Sequence, residues 1–222
     1  MNDSSISSMQ HHALKTNKPH HKYRNIIFDL GGVLIYFKPN ELAAAIFNDQ
    51  QRQALPEDFV HAIASRAWLE MDRGTMTRDE VCDALADRFP RAMMEQFMAH
   101  LPHHLNPMPT GEVILHAIQQ RGFATYILSN MSDWAHHVID QKTDLFKRFD
   151  GAVFSYQVNL VKPEPQIYKL LLTRYQLKAE ECLFIDDLEH NINAAKALGI
   201  DGIICHDHDQ LRGDLKKMAV LD

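Results

Sequence analysis

The sequence has no apolar run that approaches the roughly 18 residues needed to cross a bilayer. Residues 1–21 also lack the apolar centre of a secretion signal, and they are polar and rich in serine and histidine. We therefore expect residues 1–21 to form a disordered N-terminal tail. We expect the protein to be cytoplasmic, with no membrane partner.

Cysteine is scarce, with only Cys82, Cys182 and Cys205 in 222 residues. Three is an odd number, and none of these cysteines forms a CxxC pair, which argues against a disulfide framework. Cys182 and Cys205 lie in apolar, strand-like runs. The pattern predicts reduced, buried thiols with a structural role.

An excess of positive charge is absent as well, since 23 lysine and arginine residues face 29 acidic ones and give a net charge of -6. Nucleic-acid and anionic-membrane binders need a basic face, so we predict neither partner, and nothing indicates an obligate protein partner. The hydrophobic fraction of 45% is ordinary for a globular protein. The length suits one well-buried domain with a modest insertion.

The first half of the chain holds one strand-like run, from residue 25 to 30, which Gly31 and Gly32 interrupt. From about 39 to 105 the strand pattern disappears and helical patterns follow one another. Thr77 and Glu80 form a capping-box pattern, and Gly74 is placed to end the preceding helix. The predicted helices of this insertion cover 41–47, 57–71, 77–89 and 92–101.

After Pro109 helices and strands alternate strictly. This order predicts right-handed βαβ units and an α/β fold with a doubly wound, Rossmann-like parallel sheet. The core would comprise 22–38 and 106–222, with 39–105 as an all-helical insertion. The predicted helices are 111–120, 132–140, 163–175 and 188–198, and the predicted strands are 124–128, 152–154, 182–185 and 202–205.

Asp29 ends the first strand, in the segment IIFDLGG. At the carboxyl edge of a parallel sheet its carboxylate can attack phosphorus and form an acyl phosphate. Its ordinary pKa of about 3.9 leaves it ionised at neutral pH. The alternative is an aspartate that only caps a helix or a turn.

Asp186 and Asp187 end another strand, in LFIDDLEHN. Two carboxylates near a third repel by roughly 4 kcal/mol per pair at 4 Å and an effective dielectric near 20, which a divalent cation would relieve. Oxygen ligands favour Mg²⁺. The predicted ligands are Asp29, the Gly31 carbonyl, and Asp187 with Asp186, although an Asp-Asp pair is also a common helix N-cap.

Two further positions complete a phosphate site. Ser129, with the backbone N–H of Asn130 after it, ends the strand YIL and can bind phosphate oxygens. Lys162, in VKPEP, can offset charge on Asp29 and on a transferring phosphoryl group, and Pro163 restricts its backbone. Taken alone, SN is a common turn dipeptide and Lys162 a surface lysine.

Together these residues resemble the haloacid dehalogenase superfamily of hydrolases, over residues 24 to 206. The resemblance implies Asp29 as nucleophile, Ser129 and Asn130 on the phosphate, Lys162 as charge stabiliser, and the acid pair on Mg²⁺. VKPEPQIY is similar to members with a helical cap after the first motif, which would be residues 39–105. The first motif, D-L-G-G-V, is similar to a branch that includes sugar-phosphate phosphatases.

Gly31 departs from the family's phosphatases, which carry a second aspartate two residues after the nucleophile. That aspartate is the usual general acid, and proton delivery of this kind is worth roughly 10²–10⁴-fold. Another group or a water donates the proton, the leaving group is good, or turnover is slow. His190 and His206 are candidate donors, and Trp68, Arg66 and Arg73 are candidate substrate contacts.

These observations predict a Mg²⁺-dependent phosphatase that acts on a small phosphorylated metabolite, such as a sugar phosphate, through a phosphoaspartyl intermediate. A 2-haloacid dehalogenase is the nearest alternative, but its family members have serine and asparagine where this chain has Asp186-Asp187. A catalytically weak descendant that only binds a phosphorylated ligand is the second. A receiver-like switch fits poorly, because receivers place their acid pair before the phosphorylated aspartate.

Overall fold

The computed structural model describes residues 22–56 and 58–222, so the predicted disordered tail at 1–21 lies outside the described residues. Five parallel strands form one sheet in the order β3-β2-β1-β4-β5, which confirms the predicted fold class. From β1, the chain adds β2 and β3 on one side and then β4 and β5 on the other, so that the direction of strand addition reverses between β1 and β4. The carboxyl ends of β2, β1 and β4 therefore lie side by side. The strands are β1 Asn25–Phe28, β2 Ala124–Ser129, β3 Gly151–Phe154, β4 Cys182–Asp186 and β5 Asp201–Ile204.

Strand β1 lies at the centre of the sheet and is buried along its whole length. Ile26 and Phe28 belong to the hydrophobic core on one face, and Ile27 belongs to the core on the other. Since both faces are covered, the strand is apolar at every position instead of alternating. Phe28 pairs with Ile127 on β2 and with Ile185 on β4, which fixes the three strand ends at one level.

The helices of the second half flank this sheet. The Ser132 hydroxyl accepts the Ala135 N–H and caps the helix that begins at Asp133, as an N-cap serine does. The predicted helix at 163–175 begins later, at Pro165, because residues 161–164 form a turn in which the Glu164 N–H donates to the Val161 carbonyl at 2.9 Å. The helices are α6 Pro109–Gln120, α7 Asp133–Lys142, α8 Ser155–Val158, α9 Pro165–Arg174, α10 Glu189–Lys196 and α11 His208–Lys217.

Residues between β1 and β2 are helical, as predicted, but the helices differ in detail. The predicted helix 57–71 is instead a 3₁₀ turn, Phe59–Ala62, followed by a helix over Arg66–Arg73, because the Ser65 hydroxyl accepts the Trp68 N–H and starts a new helix. The capping box of Thr77 and the end of the preceding helix at Gly74 are as predicted. The helices are α1 Pro39–Ile46, α2 Asp49–Ala54, α3 Arg66–Arg73, α4 Arg78–Leu85 and α5 Arg91–His100.

The helical segment and the sheet share one hydrophobic core. Phe59 packs edge to face against Phe47 and Phe97, with ring centroids 5.5 and 5.6 Å apart. These rings belong to the same buried cluster as Phe28 of β1 and Ile127 of β2. No helix within the described residues is long and apolar enough to cross a membrane.

Candidate active site

Lys162 lies at the centre of the site, and its side chain is almost fully buried. Its ammonium is 2.8 Å from Asp29 Oδ1 and 2.7 Å from Asp186 Oδ2. Burial alone lowers the pKa of Lys162, but the carboxylates of Asp186 and Asp29 outweigh burial and raise that pKa above its usual value. The structure therefore holds a charged lysine between two acids that are far apart in sequence.

Asp186 is held by the protein on both of its carboxylate oxygens. Oδ1 accepts hydrogen bonds from the Leu188 N–H at 2.8 Å and from Asn191 Nδ2 at 3.0 Å. Oδ2 accepts from Lys162 at 2.7 Å and from Asn191 at 3.2 Å. With this many donors around a fully buried carboxylate, Asp186 is suited to anchoring the lysine.

Asp29 follows β1 and is fixed by its backbone N–H, which donates to the Ile185 carbonyl at 2.8 Å. Burial raises the pKa of Asp29 to about 6; Lys162 opposes this shift and Asp186 adds to it. With that pKa the carboxylate is still predominantly ionised at pH 7. A buried, ionised carboxylate beside one fixed cation is a competent nucleophile.

Asp187 differs from its neighbour Asp186, since no lysine or arginine is hydrogen-bonded to it among the described residues. Burial, with Asp29 and Asp186 adding to it, raises the pKa of Asp187 to about 7. Gly32 lies directly against this carboxylate. It has a φ of +71°, and a Cβ built there would be 2.7 Å from Asp187 Oδ2.

Asp29, Asp186 and Asp187 each offer a carboxylate oxygen, and these oxygens lie within 4.8 Å of one another. Three acids at this spacing around one lysine leave excess negative charge, and hard oxygen ligands suit a divalent cation such as Mg²⁺. Gly31, predicted to contribute its carbonyl, lines the same cavity. The donor set therefore fits the predicted metal.

Ser129 and Asn130 lie where β2 ends, and both line the cavity with Asp29 and Lys162. The Asn130 side chain is already engaged. Its Nδ2 donates to the Lys162 carbonyl at 2.9 Å, and its Oδ1 accepts the Lys162 N–H at 2.8 Å. Asn130 therefore fixes the backbone of Lys162, which leaves its own N–H and the Ser129 hydroxyl as candidate phosphate donors.

Two residues of the site were missed by sequence reasoning. Asn191 holds Asp186, and its own Oδ1 is buried without a hydrogen-bond partner. Asp72, near the end of α3, lines the cavity from the helical segment. Burial raises the pKa of Asp72 to about 7, the Ser132 N–H opposes that shift, and Asp29 adds to it. Asn191 follows the acid pair by one helical turn, which was a usable signal, whereas nothing in the local sequence marks Asp72.

The remaining predicted substrate contacts and proton donors divide into residues that line the cavity and residues that do not. Trp68 and His190 line the cavity. Arg66 is largely exposed, and Arg73 pairs with Glu70 and Glu164, so neither reaches the cavity wall. His206 is also exposed and lies outside the lining. All three cysteines are free and buried, as predicted.

The family model that matches this chain is described as a haloacid dehalogenase-like hydrolase, and the match covers residues 23–199. The chain is 26% identical over 216 residues to bifunctional epoxide hydrolase 2 of Mus musculus, covering 86% of this chain but 38% of that protein. It is 25% identical over 186 residues to D-ribitol-5-phosphate phosphatase of Bacteroides thetaiotaomicron, covering 80% of this chain and 89% of that one. The chain thus spans under two fifths of the mouse relative's length.

Among solved structures, the chain resembles a HAD family enzyme from Bacteroides thetaiotaomicron, solved as the wild-type protein in complex with magnesium and inorganic phosphate. The TM-score is 0.64 at 24% sequence identity, over 85% of this chain and 98% of that one. At this identity the likeness establishes the fold, which agrees with the five-stranded parallel sheet described above.

Proposed function

The chain belongs to the haloacid dehalogenase-like hydrolases, and from this premise we propose that it is a Mg²⁺-dependent phosphatase that hydrolyses a small phosphorylated metabolite through a phosphoaspartyl intermediate on Asp29. The observation that carries the proposal is the buried Lys162 ammonium, 2.8 Å from Asp29 and 2.7 Å from Asp186. A haloacid substrate gives no reason for the third carboxylate, Asp187, beside this pair.

In the first step a carboxylate oxygen of Asp29 attacks phosphorus, a new P–O bond forms, and the bond from phosphorus to the alcohol oxygen breaks. The electron pair of that bond leaves with the alcohol oxygen, which takes a proton. In the second step water attacks the acyl phosphate, the bond from phosphorus to Asp29 breaks, and inorganic phosphate and the free carboxylate result. Lys162 offsets the charge that develops on the phosphoryl oxygens in both steps.

Asp29, Asp187 and the Gly31 carbonyl would hold the Mg²⁺. Asp186, which the sequence also predicts as a ligand, would instead anchor Lys162, because both of its carboxylate oxygens already accept hydrogen bonds from the protein. When bound, the cation screens the repulsion between the carboxylates and the phosphate dianion. The Ser129 hydroxyl and the Asn130 N–H would bind the phosphate at the end of β2. The side chain of Asn130 acts indirectly, through the backbone of Lys162.

We assign proton delivery to Asp72, which takes the place of the aspartate that is missing at Gly31. Asp72 lines the same cavity as Asp29, from the helical segment. An alcohol oxygen that leaves in line departs on the side away from the nucleophile, and in this proposal that side faces the helical segment. The raised pKa of Asp72, about 7, keeps a protonated population at neutral pH. In the second step the resulting carboxylate accepts the proton of the attacking water.

The helical segment, residues 39–105, serves in this proposal as a cap on the site. Val60, Trp68 and Leu69 line the cavity from this segment, while Asp29 and Lys162 line it from the core. Apolar side chains over a phosphoryl-transfer site exclude bulk water and strengthen the electrostatic contacts inside.

Hydrolysis of p-nitrophenyl phosphate tests the proposal. We expect Mg²⁺-dependent turnover that EDTA abolishes and that Asp29→Asn reduces to background. Asp87→Asn, a change of an exposed aspartate outside the cavity, is the matched control and should keep full activity. Release of chloride from 2-chloropropionate in the presence of EDTA, without phosphatase activity, would establish the dehalogenase alternative. Binding of phosphate esters with no turnover would establish the binding alternative.

A further inference from the structure

The cavity that contains Asp29 and Lys162 has a volume of about 460 Å³, and its two ends differ in chemistry. Asp29, Lys162 and Asp187 lie at the carboxyl edge of the sheet, whereas Asp72 lines the cavity from the helical segment. Beyond them the lining is almost entirely hydrocarbon. The apolar lining residues include Phe37, Val60, Trp68, Leu69, Leu105 and Trp134.

We propose that the substrate is the monophosphate ester of a hydrocarbon alcohol, with the phosphate on Ser129 and Lys162 and the chain against the apolar wall. This inference rests on the proposed phosphatase function and goes further by naming the substrate class. It departs from the sugar phosphate that the first motif favours in the sequence.

The wall contains few polar side chains, and several of them already accept a hydrogen bond from the backbone. The Ser65 hydroxyl accepts the Trp68 N–H at 3.2 Å, and the Ser132 hydroxyl accepts the Ala135 N–H at 3.3 Å. The carboxyl group of Asp72 accepts a hydrogen bond from the Ser132 backbone. Among the described residues that line the cavity, Trp68, Trp134 and His190 add ring nitrogens, and Asn191 adds an Oδ1 without a partner.

A sugar phosphate carries several hydroxyl groups, and each needs a hydrogen-bond partner once it is removed from water. An unsatisfied buried hydroxyl weakens binding by about tenfold or more. The arginines that sequence reasoning offered for this purpose are absent from the wall, because Arg66 is exposed and Arg73 is paired with Glu164. This wall therefore disfavours a polyol and favours a chain that needs no hydrogen bonds.

The apolar wall also predicts how the rate should change with chain length. Each buried methylene group contributes a factor of about four to binding. The volume of about 460 Å³ corresponds to on the order of fifteen water-sized groups, which leaves room for a phosphate and a chain of roughly ten carbons. The gain should therefore continue from short to medium chains and then level off.

The experiment measures kcat/KM for ethyl, butyl, hexyl, octyl and decyl phosphate below their micellar concentrations, with ribitol 5-phosphate and glucose 1-phosphate as polyol probes. We expect kcat/KM to rise by about fourfold per methylene up to the length that fills the cavity. Both polyol phosphates should fall at least about 100-fold below octyl phosphate. Farnesyl phosphate against decyl phosphate separates a branched terpenoid chain from a straight fatty chain, and a preference for either supports the proposal.

The variant Leu69→Gln places an amide in the wall while keeping a good helix former in α3. It should flatten the dependence on chain length, because hydrolysis of octyl phosphate falls by about tenfold or more relative to hydrolysis of ethyl phosphate. The matched control is Val113→Gln on the exposed face of α6, outside the cavity, where Val113 is 55% exposed. That control should keep the full chain-length dependence.

Calorimetry measures binding of the same alkyl phosphates to the Asp29→Asn variant. This measurement tests the hydrocarbon-substrate proposal separately from the phosphatase proposal. A flat chain-length series in both turnover and binding, or a polyol phosphate preferred over octyl phosphate, overturns the hydrocarbon proposal and leaves the phosphatase intact if p-nitrophenyl phosphate is hydrolysed. Chain-dependent binding without hydrolysis of any monoester supports the apolar site and overturns the phosphatase.

Discussion

At the scale of single residues, Lys162 compensates the negative charge of the site. Its ammonium offsets Asp29 and Asp186 in a position almost closed to water. Removal of one partner from such a group leaves a buried charge without compensation, which is more damaging than the loss of an exposed ion pair. The backbone of the same residue is fixed by the Asn130 side chain, so both its charge and its position are determined by neighbours.

Gly32 leaves room for the Asp187 carboxylate because it has no side chain. We expect Gly32→Ala to lower kcat/KM by more than about tenfold and to destabilise the protein by about 1–2 kcal/mol, because a Cβ would meet Asp187 Oδ2 at 2.7 Å on a backbone with a φ of +71°. Gly122→Ala is the control, since its φ is +83° with nothing within 4 Å of the new Cβ. Denaturant titration and steady-state kinetics measure both effects. Equal activity losses in the two variants would contradict the contact with Asp187.

Asp72→Asn tests proton delivery by its dependence on the leaving group. An alkoxide needs a proton as it departs, whereas p-nitrophenolate leaves well without one. We therefore expect kcat/KM, which reports departure of the leaving group, to fall by roughly 10²–10⁴-fold for octyl phosphate and by less than about tenfold for p-nitrophenyl phosphate. A uniform loss across both substrates would assign Asp72 a positioning role.

Asp72 should also make stability depend on pH. Its pKa in the folded protein is about 7, above the ordinary 3.8, so the folded state binds the proton more tightly. The contribution of this group to stability is complete below pH 3.8 and is lost as pH rises through 7. In EDTA, Asp72→Asn should therefore raise Tm over wild type by about 2–4 °C at pH 8 and by much less at pH 4.5. Differential scanning fluorimetry at the two pH values decides, and an equal shift at both would refute the assignment.

At the scale of elements, α3 connects the helical segment to the core. Arg73, its last residue, forms a two-pronged ion pair with Glu164, at 2.8 and 3.0 Å. Glu164 precedes α9 and lies two residues after Lys162. Asn159 adds a hydrogen bond from its amide to the Arg73 carbonyl at 3.0 Å. The end of α3 that carries Asp72 is thereby fixed to the loop that carries Lys162.

A double-mutant cycle of Arg73→Met and Glu164→Gln measures this link. Because the pair is partly buried and bidentate, we expect a coupling free energy of about 1 kcal/mol from denaturant unfolding. The comparison is the pair of Lys147 and Asp144, which is well exposed on both sides and should couple by less than about 0.5 kcal/mol. Equal coupling in the two cycles would show that Arg73 does not hold α3 to the core.

At the scale of the whole molecule, metal binding should stabilise the fold. A cation that binds only the folded state adds about 2.7 kcal/mol at 100 times its Kd, and Mg²⁺ should therefore raise Tm in a concentration-dependent way. We expect Asp187→Asn to remove most of this shift, while Asp87→Asn, which changes an exposed aspartate, should retain it. Thermal unfolding with and without EDTA measures the effect. A Mg²⁺ shift that survives in Asp187→Asn would place the metal elsewhere.

Much of the architecture follows from local sequence. The apolar run before Asp29 predicts a central strand because a strand covered on both faces has no polar side. Glycine, serine and threonine at element ends predict where helices stop and start, as Gly74 and Thr77 show. The predicted helix 57–71 was wrong for a local reason as well. Ser65 starts a new helix inside this range, and the helical periodicity on either side of Ser65 concealed that start.

The sequence by itself determined the sheet and the placement of Asp29, Ser129 and the acid pair at the ends of its strands, since strand periodicity and strand-end residues are encoded within a few positions of one another. The roles in catalysis that it predicts for these residues and for Lys162 stay predictions. Tertiary structure alone decided that Asp186 anchors Lys162, that Asp72 reaches the cavity, and that the wall around the charged groups is hydrocarbon. These features depend on which side chains of distant elements meet when helices pack on a sheet. That outcome is set by the shared burial of apolar surface across the whole chain, and no short window of sequence contains it.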